Sequence, residues 1–198
     1  MLAYIQGTIT YKSPTHVIIE SGGMGYQVNI SLNTFSKIQH MSQCKLLTHL
    51  HFGGSIQGPL SVSLFGFYEE AERTIFLQLL DISGVGASTV RMILSSMTAE
   101  EIQRAILNEN VKLLESIKGI GPKTARRIIL ELKDKIGKGM NASRISLGSG
   151  NNVKEEALSA LVMLGFTRLQ AEQAVQRIIG SKNDWTSEEL IKQSLKVM

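Results

Sequence analysis

Hydrophobic and polar residues alternate along the first 66 residues of the chain. Val17 and Ile19 alternate with polar neighbours, a Gly22-Gly23 pair interrupts the pattern, and the alternation then resumes. A period of two is typical of β-strands with one buried face. The later members of the pattern are Tyr26, Val28, Ile30, Leu60, Val62 and Leu64. Several short strands in so short a segment predict a closed barrel over residues 1–66, because closure leaves no exposed sheet edge.

From Glu69 onward the hydrophobic period becomes helical. Apolar residues recur every three or four positions, which places them on one face of a helix. Three such stripes are Ile75, Phe76 and Leu79; Val90, Ile93, Leu94 and Met97; and Ala125, Ile128, Ile129, Leu132 and Ile136. Thr98 and Glu101 have the spacing of a capping box, which predicts the start of a further helix. Residues 67–138 are therefore predicted to form a helical domain.

A change in composition separates this helical region from the C-terminus. The stretch GKGMNASRISLGSGNN is rich in Gly, Ser and Asn and has almost no hydrophobic period, which predicts a flexible linker over residues 139–152. Helical stripes return beyond it, and Gly165 ends the first of them. Two further capping boxes are Thr167 with Gln170 and Thr186 with Glu189. Residues 153–198 are predicted to form a small bundle of three helices.

Composition excludes several classes of protein. Cys44 is the only cysteine, so the chain has no internal disulfide and no cysteine-rich zinc site, and a reducing cytoplasmic location fits best. The N-terminus lacks the basic region and long apolar run of a secretory signal. Residues 46–68 contain no Asp, Glu, Lys or Arg, but glycines, histidines and serines interrupt them. We therefore expect no membrane span.

Positive charge is concentrated in one part of the chain. The formal net charge is +4, from 21 basic and 17 acidic residues. Residues 118–138 alone carry seven basic and two acidic side chains. Charge by itself favours a solvated helix face here, so a nucleic-acid partner needs a second argument.

The glycines in front of this basic helix provide that argument. Gly119 and Gly121 allow a tight turn with positive φ, and Pro122 suits the first position of a helix. The free N–H groups of the first turn and the helix dipole favour an anion, and the basic side chains that follow make a phosphate the expected ligand. The candidate residues of this turn are Lys118, Gly119, Ile120, Gly121, Lys123, Thr124 and Arg127.

A second copy of the motif lies 35 positions earlier. Its candidate residues are Gly84, Val85, Gly86, Ser88 and Thr89. Two turns of this kind can hold consecutive phosphates along one strand. The nucleotide P-loop is excluded because Pro122 stands where that motif needs glycine, and a dinucleotide fingerprint is excluded because a helical segment precedes Gly119.

Several motifs of the chain resemble those of a known family. GIGPKTARRI matches the helix-hairpin-helix motif of DNA-binding proteins, and GVGASTVRMI is a weaker copy. With GGMGYQVNIS, LFGFYEEAERTIFLQLLDISGVG and EALSALVMLGF, the whole chain resembles the RuvA family, the Holliday-junction-binding subunits of the bacterial RuvAB branch-migration complex.

The resemblance implies an α+β multidomain fold. Its parts are an OB-like β-barrel, a double helix-hairpin-helix domain, and a three-helix domain that contacts the RuvB-type hexameric ATPase. It also implies a homotetramer that lays four-way junction DNA across a basic face and holds the junction open and planar, and it leaves a tetramer or an octamer on DNA as alternatives. Catalysis would then belong to the partner ATPase, and no cofactor or metal is expected in this chain.

Roles carried over from the family differ between the two motifs. Gly119, Ile120, Gly121 and Lys123 match the family pattern, so we expect phosphate contacts from the backbone N–H groups and from Lys123, with Arg127 as a further contact. In the first motif, Ala87-Ser88 replaces the usual proline and lysine. We expect this turn to bind more weakly, through backbone N–H groups and the hydroxyl of Ser88 or Thr89.

Two further segments bear on the resemblance. Leu161, Leu164 and Phe166, around the MLGF turn, are candidates for the contact with the ATPase, although each could instead belong to the core of the bundle. Residues 52–63 stand where the family carries an acidic hairpin, and here that loop is longer and has no carboxylate. It could be idle, or it could act sterically through Ile56 or Gln57.

Two other function classes remain as alternatives. Some DNA glycosylases place a catalytic aspartate shortly after a helix-hairpin-helix, and Asp134 lies within that range. Lys133 and Lys135 flank Asp134, which favours a solvated charge, and three small domains leave little room for a base-flipping pocket. A scaffold that binds only proteins would leave the basic motifs unexplained.

Overall fold

The computed structural model describes residues 2–53, 61–145, 149–180 and 184–198, and only the backbone for 134–152. The chain divides into two compact units, Met1–Gly137 and Lys138–Met198. This division lies next to the predicted boundary at 138, and the boundaries at 66 and 152 remain predictions. The proposed loop tip at Ile56 and Gln57 lies outside the described residues, as does the side chain of Asp134.

The first unit begins with a closed five-stranded barrel, which confirms the prediction. Its elements are β1 (Tyr4–Lys12), β2 (His16–Ser21), β3 (Met24–Asn29), α1 (Leu32–Ile38), β4 (Gln43–Gly53) and β5 (Ser61–Phe67). The strand order is β1-β2-β3-β5-β4, with all neighbours antiparallel except β3 and β5. The alternating residues Val17, Ile19 and Val28 are fully buried inside it. Gly22 and Gly23, both at positive φ, form the two-residue turn between β2 and β3.

Helices complete the first unit. They are α2 (Glu70–Leu80), α3 (Ala87–Ser96), α4 (Ala99–Leu107), α5 (Val111–Glu115) and the part of α6 (Pro122–Ile145) that ends at Gly137. The predicted stripes from Ile75 to Leu132 meet in one hydrophobic core, which also receives Phe65 and Phe67 from the barrel. The Thr98 capping box is present, with the Glu101 side chain accepting from the Thr98 N–H at 2.8 Å. Tandem hairpins of helices are thus built directly onto the barrel.

Buried polar contacts join the barrel to these helices. The Glu72 carboxylate, on α2, accepts hydrogen bonds from the hydroxyls of Ser31 and Thr34, and all three residues are buried. At the C-terminal end of α3, the Leu94 and Met97 carbonyls accept hydrogen bonds from the side-chain amide of Asn33 on α1, at 2.7 and 2.9 Å. Because satisfied polar groups in a low-dielectric interior fix geometry, these contacts hold the helical region in one orientation against the barrel.

Glu72 is expected to make the stability of the first unit depend on pH. Burial raises the pKa of the Glu72 carboxyl above its ordinary value, and the hydrogen bonds from Ser31 and Thr34 oppose that shift. Since the folded pKa lies above the unfolded one, the Glu72 contribution to stability is fully present below the unfolded pKa and is lost as the pH rises through the folded pKa. Urea unfolding between about pH 4 and pH 7 measures the decline.

Glu72→Gln is the matched variant, because glutamine has nearly the same shape and does not titrate. It should unfold with a flatter dependence on pH over the same interval. An unchanged dependence would assign the titration to other carboxyls.

The second unit is the predicted three-helix bundle. It contains α7 (Ser149–Met163), α8 (Arg168–Ile179) and α9 (Ser187–Val197), packed around a core that includes Leu158, Leu161 and Leu190. Both predicted capping boxes, at Thr167 and Thr186, are present. The segment 139–152 differs from its prediction, since α6 continues to Ile145 and α7 already begins at Ser149. Its function as a linker remains a prediction.

Candidate nucleic-acid interface

The two glycine turns have the same geometry. Gly84 and Gly119 have φ values of +87° and +93°, a region that side chains other than glycine rarely adopt. In each turn the next residue donates its N–H to the carbonyl three positions back: Val85 to Ile82 and Ile120 to Ile117, both at 3.0 Å. The sequence repeat of 35 residues is therefore a structural repeat.

The side chains of Val85 and Ile120 attach the two turns to the hydrophobic core. Both side chains are buried in the core of the first unit, next to the equally buried Ile82 and Ile117. Their N–H groups already donate within the turn. Both residues therefore anchor the turn, because an apolar side chain between two glycines packs inward and fixes the loop. Their contact with DNA remains a prediction.

A helix begins directly after each turn and presents free donors. The first bonds within the helices are Val90 N–H to Gly86 O at 3.0 Å and Ala125 N–H to Gly121 O at 2.9 Å. The N–H groups of the preceding helical residues have no partner along the helix axis. Gly86 is the N-cap residue of α3, and no side chain there accepts a hydrogen bond from the first N–H groups of the helix. A Cβ atom built on Gly84, Gly86, Gly119 or Gly121 would meet nothing within 4 Å, so the space over both turns is open.

Side chains add positive charge to the second turn. Lys118 and Lys123 are exposed, and neither forms an ion pair with any residue that the structure describes. Arg127 lies one helical turn after Lys123, and its Nε atom is 2.7 Å from the Glu131 carboxylate. Surface pairs of this kind are weak, so Arg127 can exchange Glu131 for a phosphate at little cost. Thr124 is half-buried at the same helix end.

The first turn has no lysine at the position of Lys123, as its sequence indicates. In the structure its nearby arginine also binds the barrel, which sequence reasoning missed. Ser88 and Thr89 occupy the positions equivalent to Lys123 and Thr124. The basic residue of this copy, Arg91, donates to the Thr15 carbonyl at 3.3 Å and to Asn29 Oδ1 at 3.2 Å. Its counterpart at the second turn is the exposed Arg126. The 35-residue register pairs these two arginines, but only the fold reveals that the first one binds the barrel.

We also searched the described residues for metal-binding clusters and membrane-spanning helices. Among the described residues, no group of three or more His, Cys, Asp and Glu side chains is placed to hold a metal ion. Within that part of the chain, no helix is both long enough and apolar enough to cross a membrane.

The end of α7 and the turn after it contain the three residues that the sequence proposed as contacts for the ATPase. Leu161 is completely buried in the bundle core, which is the second of the two roles that the sequence left open for it. Gly165, at φ +102°, ends α7. The Gly165 N–H donates to Val162 O, and the Phe166 N–H donates to Leu161 O. Phe166 packs partly against the core, whereas Leu164 is 61% exposed.

Exposed apolar side chains beside this turn were not singled out from the sequence. Met163 is 86% exposed, and Leu169, the second residue of α8, is also largely exposed. We refer to these two residues and Leu164 as the MLGF patch. Large apolar side chains that are this exposed on both sides of one turn are typical of a contact surface.

Two glycine turns that open helices on one shared core, behind a closed barrel, define the class of tandem helix-hairpin-helix proteins. Family models match the same segments: a SAM-like helix-hairpin-helix tandem over residues 76–134, the RuvA N terminal domain over 1–55, and the RuvA C-terminal domain over 152–198. The chain belongs to the RuvA family.

Full-length relatives agree with the family models. The protein from Christiangramia forsetii is 44% identical, the one from Flavobacterium psychrophilum 45%, each over 99% of both chains. The protein from Cytophaga hutchinsonii is 42% identical over the full length of both. Each of these relatives is described as a Holliday junction branch migration complex subunit RuvA.

Proposed function

We propose that this protein binds four-way junction DNA and serves as the non-catalytic DNA-binding subunit of a branch-migration complex. The observation that carries the proposal is the repeated turn, with open space over its glycines and free N–H groups at its helix start. The names of the relatives point the same way. Such a protein works where the DNA is, in the cytoplasm.

Phosphates are the groups that these turns would hold. The N–H groups at the starts of α3 and α6 supply donors at both sites, and Lys118, Lys123 and Arg127 add charge at the second only. Contacts of this kind position the backbone and carry no base information. Binding should therefore depend on the shape of the junction and on salt, and hardly on sequence.

Assembly and motor contact complete the proposal. A homotetramer would present four pairs of turns to the four arms of a planar junction. The MLGF patch on the second unit would bind a RuvB-type hexameric ATPase, because it offers apolar surface without strong charge. Hydrolysis of ATP would then occur in that partner, and this chain needs no cofactor.

Lys123→Ala should weaken junction binding and flatten its dependence on salt. Removing one phosphate contact lowers the slope of log affinity against log salt concentration by about 0.9 for every subunit engaged. Affinity should fall uniformly across junctions of different sequence. Fluorescence anisotropy with a labelled four-way junction at several salt concentrations measures both quantities.

Lys45→Ala is the control, because it removes the same charge from an exposed residue near the beginning of β4. The Lys45 Nζ atom lies over the Tyr4 ring, 4.2 Å from its centroid, so the variant loses this surface contact and no backbone hydrogen bond that an element depends on. Lys12 is unsuitable, since its Nζ atom donates to the carbonyls of Ile38, Gln39 and Met41 and closes the end of α1. Equal salt slopes for wild type and Lys123→Ala would refute the phosphate site. Strand cleavage by the wild-type protein on damaged duplex would instead favour the glycosylase class.

A further inference from the structure

Helix α3, which begins at the first glycine turn, is attached to the barrel by a side chain near its start. Arg91 lies about 6 Å along the helix from its first residue, Ala87. The Arg91 Nη1 atom donates to the Thr15 carbonyl at 3.3 Å and to Asn29 Oδ1 at 3.2 Å. Because the guanidinium is charged, each of these bonds is stronger than one between neutral groups. Arg91 therefore connects the helix of the first turn to the barrel.

The two acceptors of Arg91 are themselves held by the barrel. The Thr15 carbonyl, between β1 and β2, also accepts from the Ile30 N–H at 3.1 Å. Asn29, the last residue of β3, donates through Nδ2 to the Leu64 carbonyl on β5 at 3.2 Å. Arg91 thus binds a framework whose own hydrogen bonds keep both acceptors in place.

The other polar contacts between α3 and the barrel lie toward the opposite end of the helix. Within the described residues, they are the bond from the Leu32 N–H to Ser95 Oγ at 3.1 Å and the bonds from Asn33 to the Leu94 and Met97 carbonyls. Val90 and its apolar neighbours also pack α3 into the core, but hydrophobic contacts are non-directional and restrict its rotation less. Among these described polar contacts, the one through Arg91 is nearest to the turn.

Orientation of the helix matters more at the first turn than at the second. The first turn has Ser88 where the second has Lys123, so a phosphate at the first turn would depend on N–H groups. These donors are fixed to the backbone and cannot reach toward a displaced ligand, whereas a lysine side chain can. Since binding is tighter when donors are already aligned, a contact that holds α3 in one orientation should contribute to affinity.

We propose that Arg91 is a positioning residue for the first turn. It holds α3 against Thr15 and Asn29, so that the N–H groups at the helix start are aligned for a phosphate. The proposal rests on the function proposed above and assigns Arg91 a role that involves no contact with DNA. Its effect on junction affinity therefore depends on an intact first turn.

The test compares full-length Arg91→Gln with wild type by fluorescence anisotropy of a labelled four-way junction. Affinity should fall at least about fivefold, which corresponds to the net free energy of one hydrogen bond. The slope of log affinity against log salt concentration should stay the same, because no cation is removed from a phosphate. Thermal unfolding checks that the first unit stays folded.

A double-mutant cycle with Gly84→Val separates positioning from general damage. Gly84 has a φ of +87°, so valine should distort the first turn and remove the phosphate site through which Arg91 acts. In that background, Arg91→Gln should cost less than about twofold in affinity. In the Lys123→Ala background, it should keep its full cost. A merely structural role would lower affinity equally in both backgrounds.

Three further variants complete the test. Asn29→Ala removes an acceptor of Arg91 without changing the charge, and its loss of affinity should likewise depend on Gly84. Arg91→Lys keeps the charge, but its Nζ atom falls one bond short of the position of Nη1, so it should bind the junction with intermediate affinity. If Arg91→Gln unfolds, Arg91→Lys enters the same cycle. Lys45→Ala removes one charge elsewhere and should leave affinity unchanged in every background.

Several outcomes would overturn the proposal. A lower salt slope for Arg91→Gln would mean that Arg91 itself binds a phosphate. An undiminished cost in the Gly84→Val background would make its role structural, and wild-type affinity in folded Arg91→Gln would mean that the contact has no role in binding. Absence of junction binding by the wild-type protein would instead refute the function proposed above.

Discussion

Gly119→Val is expected to lower junction affinity about tenfold or more, because the second turn cannot keep its shape with a β-branched residue at φ +93°. Nothing lies within 4 Å of a Cβ at this position, so the cost is conformational and not steric. Strain of this kind amounts to about 1–3 kcal/mol. The turn would relieve it by rotating the N–H groups at the start of α6 away from the phosphate. Anisotropy at fixed salt measures the affinity, and thermal unfolding measures the stability.

Gly180→Ala is the matched control, because Gly180 has an ordinary φ of −78° and equally open surroundings. It should change neither quantity. If Gly119→Val unfolds the first unit, Gly119→Ala is the milder variant and should still weaken binding. Wild-type affinity in a folded Gly119→Ala or Gly119→Val variant would contradict a ligand at this turn.

Removing residues 151–198 should abolish motor-driven branch migration and leave junction binding intact. Both proposed phosphate turns belong to the first unit, which has its own hydrophobic core. The removed segment carries the MLGF patch and has no net charge, so the shortened chain should fail to engage the motor without a weaker attraction to DNA. Junction anisotropy and a branch-migration assay with the cognate ATPase measure the two activities.

A full-length variant separates loss of the patch from loss of the unit. Met163→Glu with Leu164→Glu places charges on exposed side chains, so the bundle should stay folded while motor-driven migration is abolished. Leu161→Glu should instead unfold the bundle, because its side chain is completely buried. Reduced junction affinity in the truncated chain, or normal migration in the double variant, would contradict this assignment.

The spacing of hydrophobic residues and the glycines of the turns predicted most of the fold. The alternation at Val17 and Ile19 predicted the barrel, and the stripe from Ala125 to Leu132 predicted the second hairpin, because burial on one face imposes these periods directly. The positive φ of Gly84 and Gly119 followed from the same reasoning. These are local properties, and each depends on residues close together in the chain.

Contacts between distant residues could not be predicted in this way. A helical stripe around MLGF does not say which apolar residue points inward, so the sequence left Leu161 open between core and surface and did not single out Met163. Likewise, the roles of Arg91, Lys12 and Glu72 depend on partners 26 to 76 positions away in sequence. The composition of 139–152 predicted no helix, yet α6 and α7 extend into it.

Arg91 also determines how mechanical load would pass through the molecule. A strand pulled by a motor would draw on α3 through the first turn, and α3 is fastened to the barrel by Arg91 and by the Asn33 contacts near its end. Among the described side chains, the equivalent Arg126 at the second turn is exposed and makes no such contact with the barrel. If a motor pulls on a bound strand, the first turn should therefore move less relative to the barrel than the second.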